Sequence, residues 1–429
     1  MPYKTKNSIQ KGGKVLGRGS FGCVIDPPVM CSKVDSKDKV SKLVKLDGLK
    51  QNEIEELEKE FKISKMFMKK DPNNKYFLGG IEQCKITSKK INNKDKKDCG
   101  INTKKEVPLM SIIMKKAEDF DKVAPKLSHK DLLKSIAHLL NGAKIAIYDL
   151  KVLLLDIKHF NILYVKDTKA TEKFNKKRTS FIHPVFIDFS PDFIAKSKRD
   201  FKTFLRSMGD YYSVWPLEIL LTIYMNLKKE QKATKNKKNL IQINQLLKIF
   251  ENKLQLINGF TIQGNREKVK IIVEDFKDEI NHNFKEISDK IMVYQIANSF
   301  IHLAANRPKL LKIIQPMLSL DFDKRLTIKQ SLARIKKVIG SVKEKDLLIT
   351  YTKKSVFGKF YDFMTRPVNV GQRGGGPMKK PGQSWEDYWA EEAKKEAERR
   401  YKIMFGIEDK KPKKISKKVK KNIKKIIKS

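Results

Sequence analysis

The chain has 429 residues, 40% of them hydrophobic, and a formal net charge of +44 at pH 7. That apolar content suffices for a real core and excludes a wholly disordered protein, while the length allows two or three lobes or domains. The positive field attracts polyanions such as nucleic acid, anionic membrane or acidic protein, unless it only reflects the Lys, Ile and Asn bias of the whole chain. No apolar run approaches the roughly 20 residues needed to span a bilayer, and the polar N-terminus does not read as a signal peptide. Four cysteines (Cys23, Cys31, Cys84 and Cys99) lack C-x-x-C spacing, which predicts free thiols in a reducing compartment rather than a zinc site.

Val15 to Val24 holds a G-x-G-x-x-G made by Gly17, Gly19 and Gly22, with Val24 two positions on. Asp26-Pro27-Pro28 follows too closely for a helix to open there, so a strand-turn-strand is expected. By itself the motif is weak, because glycine turns are common. Lys39 to Leu46 alternates enough for a strand. It offers Lys42, with Val40 on the same face, or alternatively Lys45, as an inward amine; a solvated edge lysine is the bland reading. Asn52 to Lys69 has helical apolar spacing and glutamates in its first half, where the helix dipole favours them. Glu60 is placed to pair with the lysine, and Glu56 lies one turn earlier. Residues 76–115 read as short strands with an exposed lysine-rich loop from Lys89 to Lys97. Val107 to Met114 is a buried strand with a polar exit through Lys115, Lys116 and Ala117. His129 to Asn141 forms an amphipathic helix.

Val152 to Tyr164 then places Asp156, Lys158 and Asn161 inside an apolar run, between strand-like pieces at Val152–Leu155 and Ile162–Val165. Burying a carboxylate, an amine and an amide costs several kcal/mol (~2 or more each) unless they are paired or hold an ion. A basic hairpin is expected from Lys166 to Arg178. Pro184 to Ser190 follows as an apolar strand ending in Asp188-Phe189.

Glycine loop, lysine, glutamate, Asp-x-Lys-x-x-Asn and Asp-Phe stand here in the order of the eukaryotic-type serine/threonine protein kinases. The chain resembles that superfamily over about residues 12–340. Trp215-Pro216-Leu217-Glu218 resembles the end of the activation segment, and Met317 to Thr327 the segment whose arginine, here Arg325, pairs with that glutamate. The resemblance implies an α+β, bilobal fold. A β-rich N-lobe would cover 1–117, and a helical C-lobe 118–345 with a lysine-rich helical insertion at about 226–283. A linker, a charged helix and a basic tail would fill 346–429. It implies ATP and Mg2+ as cofactors. Gly17, Gly19, Gly22 and Val24 would lie over the nucleotide, Lys42 held by Glu60 on its phosphates, and Met114 and Ala117 at the adenine. Asn161 and Asp188 would be magnesium ligands. Asp156 would accept the hydroxyl proton of a protein Ser or Thr, and Lys158 would neutralise the γ-phosphate.

Leu154 and Leu155 stand where the family has His and Arg, so switching by a phosphorylated loop docked on that Arg is not expected. Ser190 replaces the usual glycine after Asp-Phe. The register that fits Tyr294 best puts Met292 where the family has an Asp bracing the catalytic loop, with Asp289 one turn earlier. Divergence and lysine-rich insertion together resemble kinases of nucleocytoplasmic large DNA viruses, which implies a host-cell cytoplasmic or virion setting and protein substrates. In the tail, Gly371 to Pro377 reads as a linker and Ser384 to Asp387 as a capping box. Lys410 to Ser429 carries eleven lysines and no acid, with Ile415, Val419, Ile423 and Ile426 on one helical stripe. It is either a disordered solubilising tail or a contact for nucleic acid or anionic membrane.

Overall fold

The computed structural model describes residues 14–18, 22–32, 36–173, 179–208, 212–258, 261–305 and 307–352. Gly19 and everything assigned to the linker, charged helix and basic tail after residue 352 lie outside the described residues.

The N-terminal region is built on a sheet. Strands β1 (Lys14–Arg18), β2 (Gly22–Asp26) and β3 (Lys39–Lys45) precede helix α1 (Gln51–Lys70). Then come β4 (Glu82–Thr87), a short helix α2 (Asn93–Asp98) and β5 (Pro108–Lys115). The five strands pair antiparallel in the order β1-β2-β3-β5-β4. β5 is an inner strand, between β3 and β4, and is buried from Leu109 to Ile113, which is why it reads as a continuous apolar run rather than an alternating one. The expected exposed loop over Lys89–Lys97 is instead α2 with its entry turn. Ile91 and Cys99 on either side are buried, and Asn92 caps the helix by accepting from the Asp95 N–H at 2.8 Å.

The prediction of free thiols is overturned. Cys23 is joined to Cys99 and Cys31 to Cys84, leaving no free cysteine among the described residues. The partners lie 76 and 53 residues apart in sequence, but the fold brings their Cα atoms to 5.5 and 5.6 Å, within disulfide reach. Chain spacing alone carries no trace of either pair. Because disulfides persist mainly where conditions are oxidising, the ground for reading a reducing compartment disappears.

The C-terminal region is mostly helical. After β6 (Glu118–Asp119) and α3 (Phe120–Val123), helix α4 (His129–Lys144) runs into a π-helical turn, Ile145–Asp149. β7 (Leu153–Leu154), β8 (Ile162–Asp167), α5 (Thr168–Lys173), β9 (Thr179–Phe186) and β10 (Ile194–Ala195) follow. β8 and β9 pair antiparallel, but the stretch from Lys166 to Arg178 expected as a hairpin is largely their connection: it holds α5, and 174–178 lie outside the described residues. Helices α6 (Lys198–Ser207), α7 (Leu217–Ala233), α8 (Lys237–Asn258), α9 (Arg266–His282) and α10 (Phe284–Ser299) come next. Short α11 (Ile301–Ala304) and α12 (Pro308–Ile314), then α13 (Ile328–Ile339) and strand β11 (Ile349–Thr352), complete the described chain. α10 is buried at every position from Ile287 to Ser299, so it is the axis on which the other helices pack. Of the described residues in 226–283, most are helical, in the end of α7, α8 and α9. Among the described residues no helix is long and apolar enough to cross a membrane.

Candidate functional site between the sheet and the helices

A cavity of about 670 Å³ opens between the five-stranded sheet and the helical region, the size of a small-molecule site. Gly17, Gly22, Val24, Lys42, Glu60, Met114, Ala117, Asn161 and Asp188 all line it. The two described glycines serve different ends. A Cβ on Gly22 would sit 1.8 Å from the Leu43 carbonyl oxygen, so the close approach of β2 to β3 demands glycine. Around Gly17 nothing lies within 4 Å of where a Cβ would be, leaving bare backbone over the opening.

Val40 and Lys42 share a face of β3, and the Lys42 ammonium reaches Glu60 on α1 at 3.4 Å. Burial pulls the Lys42 pKa down, but the charges of Glu60 and Asp188 outweigh it and hold the pKa above the ordinary lysine value. Lys45, the alternative, instead donates to the Gly100 carbonyl at 3.2 Å at an exposed position.

On the opposite wall, the Asn161 amide donates to the Asp156 carbonyl (3.0 Å) and to Asp156 Oδ2 (2.8 Å), while the Lys158 ammonium donates to the same carboxylate oxygen at 3.0 Å. The polar side chains that should not be buried alone are therefore paired with one another. Burial raises the Asp156 pKa against the opposing bonds from Tyr212 and Lys158. The carboxylate is thus a better proton acceptor than an exposed one. The Ile187 N–H donates to the Asn161 carbonyl at 3.1 Å, tying the strand end that carries Asp188 to this loop. Asp188 has φ +65°, a left-handed conformation that aspartate, like asparagine, adopts more readily than most residues. Phe189 beside it is buried and stacks on Phe67 of α1 at 4.4 Å, so the helix carrying Glu60 also anchors the Asp188 turn.

Two residues that matter here, Tyr212 and Gln295, were not singled out from sequence, and a third, Trp215, was read only as part of the match that ends in Glu218. Tyr212 donates its hydroxyl to Asp156 Oδ1 at 2.7 Å and also contacts the Lys158 ammonium. Trp215 Nε1 and Gln295 Nε2 both donate to the Leu155 carbonyl at 2.7 Å, and the Leu155 N–H donates to the Phe193 carbonyl at 2.9 Å. The brace on the loop is accordingly Gln295, three residues beyond the expected Met292, which is packed in the core. Asp289 instead accepts from the Tyr148 hydroxyl at 3.1 Å. The available signal was Gln295 itself, an amide within a run of Val, Tyr, Ile and Ala that had to be buried and so needed a partner. Tyr212 carried no such pattern. His159 lies against Phe160 with ring centres 3.9 Å apart.

No family model matches the chain, and no curated protein is recognisably similar to it in sequence.

Proposed function

We propose that this chain is a Mg-ATP-dependent protein kinase of bilobal, kinase-like fold, transferring the γ-phosphoryl group to Ser or Thr hydroxyls of protein substrates. The observation that carries this reading is a convergence. Lys42, held by Glu60, enters from the sheet side the same cavity that Asn161 and Asp188 line from the helical side, and Asp156 is bonded directly to Asn161. Those five groups come from four separate stretches of sequence.

In this reading the sheet covers the nucleotide with the bare backbone at Gly17, and Lys42 grips its phosphates. Asn161 and Asp188 offer one amide and one carboxylate, side by side on one cavity wall. That donor set fits Mg2+, which takes one or two carboxylates with phosphate and water as its other ligands. The ion would neutralise charge on the phosphates. Asp156 accepts the proton of the incoming hydroxyl, and Lys158 neutralises charge on the group in transfer.

Transfer of label from [γ-32P]ATP to an acidic acceptor protein, with wild type beside Asp156→Ala, tests the assignment. Loss of a general base should cut the rate by roughly 10²-fold or more; equal incorporation by both proteins overturns it. One observation favours a second reading, a kinase-shaped binding protein without transferase activity: Tyr212 already occupies both oxygen-binding groups of the acceptor position. The same assay decides between them.

A further inference from the structure

Helix α6 lies in the stretch between Asp188 and Glu218 and has two unlike faces. Phe201, Phe204 and Leu205 are buried. Phe204 packs on Phe193 at 6.3 Å and edge-on against Trp215 at 5.1 Å, the two residues that hold the N–H and carbonyl of Leu155 beside Asp156. The apolar face thus ties the helix to the loop that carries Asp156. Another face carries Lys198, Lys202 and Arg206, four residues apart and so neighbours on one stripe. This stripe runs beside the end of α9: Lys198 donates to the Asn281 carbonyl at 3.0 Å, and Lys202 to the Asn281 side-chain oxygen. Phe201 meets Phe276 at 6.2 Å and Phe284 at 5.8 Å beneath it. Asn226 of α7 donates to the Leu205 carbonyl at 2.8 Å, which brings α7 and its exposed Lys229 to the same end. Burial, then the charges of Lys229 and Arg206, lower the Lys277 pKa against the pull of Glu274. Among the described residues none of these five cations forms an ion pair with a carboxylate. The one acid of α6, Asp200, stays at its N-terminus, accepting from the Lys196 N–H at 3.0 Å.

We propose that the basic groove between α6 and α9 is the docking site for a run of acidic residues in the protein substrate, near the serine or threonine that receives phosphate. The inference rests on the kinase reading and adds to it the class of segment the substrate must carry. From Lys198 to Arg206 the stripe is about 12 Å long, at the helical rise per residue. About four residues of extended peptide cover that length. Carboxylates along such a peptide replace the weaker neutral bonds that Lys198 and Lys202 make to Asn281 with charge-assisted ones, and relieve the repulsion among Arg206, Lys229 and Lys277. Because the inner face of α6 leans on Phe193 and Trp215, an anion held on α6 lies beside the Asp156 loop and not on a remote surface. A nucleic-acid backbone has the right charge but offers no serine or threonine hydroxyl, so this placement favours a peptide.

The test measures binding, by fluorescence anisotropy, and transfer from Mg-ATP separately on the full chain. The probes are a labelled serine peptide carrying about four consecutive glutamates and its alanine counterpart. Wild type should bind the glutamate peptide about 10-fold more tightly than Lys198→Gln/Lys202→Gln/Arg206→Gln does, as three exposed charge pairs act together. The gap should close as salt rises towards about 1 M. Lys309→Gln/Lys312→Gln/Lys329→Gln removes the same charge elsewhere and should bind as wild type does. In transfer, the α6 variant should show a raised KM for the glutamate peptide with kcat kept. It should act on the alanine peptide as wild type does, which also shows that it is folded. Equal binding of the glutamate peptide by wild type and the α6 variant, or an equal loss in the second variant, overturns the proposal and leaves the kinase reading standing. A single-stranded oligonucleotide that displaces the peptide from wild type, and binds the α6 variant less well, does the same. If wild type binds the glutamate peptide through α6 yet transfers phosphate to neither peptide, the kinase reading falls and the substrate assignment falls with it.

Discussion

Arg325 meets Glu218 with both guanidinium nitrogens, Nη1 to Oε1 at 2.5 Å and Nη2 to Oε2 at 3.0 Å, with both side chains essentially out of water. The Arg325 Nε–H donates to the Ser319 carbonyl at 3.0 Å, and the guanidinium lies 5.0 Å from the Tyr294 ring centre. The pair joins the start of α7 to the segment before α13 and touches neither the cavity nor Asp156. Arg325→Ala should destabilise the fold by about 3–5 kcal/mol, because it strands a buried carboxylate. Replacing both partners with apolar residues of similar size should cost far less. Urea unfolding of the two variants checks this. A single variant as stable as wild type would mean that the pair is solvated in solution.

Lys42 and Lys45 are three residues apart on one strand, yet only Lys42 faces the cavity. Lys42→Met should lower phosphoryl transfer by roughly 10²-fold, the usual loss when one preorganised cationic contact to the reacting group is removed. Lys45→Met removes a surface bond and should change stability by less than about 0.5 kcal/mol, with transfer unaltered. Initial rates with the same acceptor protein separate the two. The reverse pattern would reassign the amine.

Much of this site was legible because its polar residues interrupt apolar runs. Asp156, Lys158 and Asn161 could not be buried without partners, and the fold supplies those partners from within the same short loop. Glu218 and Arg325, 107 residues apart, were legible in another way, through the resemblance that pairs those two segments. Whatever depended on tertiary approach alone was not legible. Neither the two disulfides nor the seating of Tyr212 on Asp156 leaves a periodic trace, since each joins side chains whose local sequence suits other roles equally well. Gln295 falls between these cases: its burial was readable from the surrounding apolar run, but its partner, the Leu155 carbonyl, was not.

Cys23 sits in β2 on the cavity wall and is tied to Cys99 just after α2, while Cys31 ties the segment after β2 to β4. Closing loops of 76 and 53 residues restricts the unfolded chain, and each bond should contribute roughly 2–4 kcal/mol. Treatment with a phosphine reductant should lower the unfolding midpoint, and Cys23→Ser/Cys99→Ser should reproduce part of the drop without reductant. Mass spectrometry of the unreduced, alkylated chain must find no modified cysteine. Four alkylated thiols in freshly purified protein would refute the pairing.

His138 and His183 lie in the core with ring centres 5.1 Å apart, and the Tyr76 ring covers His138 at 4.8 Å. His138 Nε2 bonds the Lys75 carbonyl at 2.6 Å and His183 Nε2 the Asn74 carbonyl at 3.2 Å, so each ring carries its proton on Nε2. Burial, followed by the neighbouring His183, holds the His138 pKa down to about 3, and burial lowers that of His183 as well. Both rings are therefore neutral in the fold, whereas in the unfolded chain they take up protons below about pH 6.5. Their contribution is fully present above that pH and is lost as pH falls, down towards pH 3 for His138. Near pH 5.5 the loss from His138 alone should approach about 1.4 kcal/mol, with a further loss of the same sign from His183. Urea midpoints at pH 7.5, 6.5 and 5.5 should decline, and His138→Gln should flatten the decline, since the more strongly shifted of the two rings is gone. A wild-type midpoint that does not move across this range would show that these rings are hydrated and titrate normally.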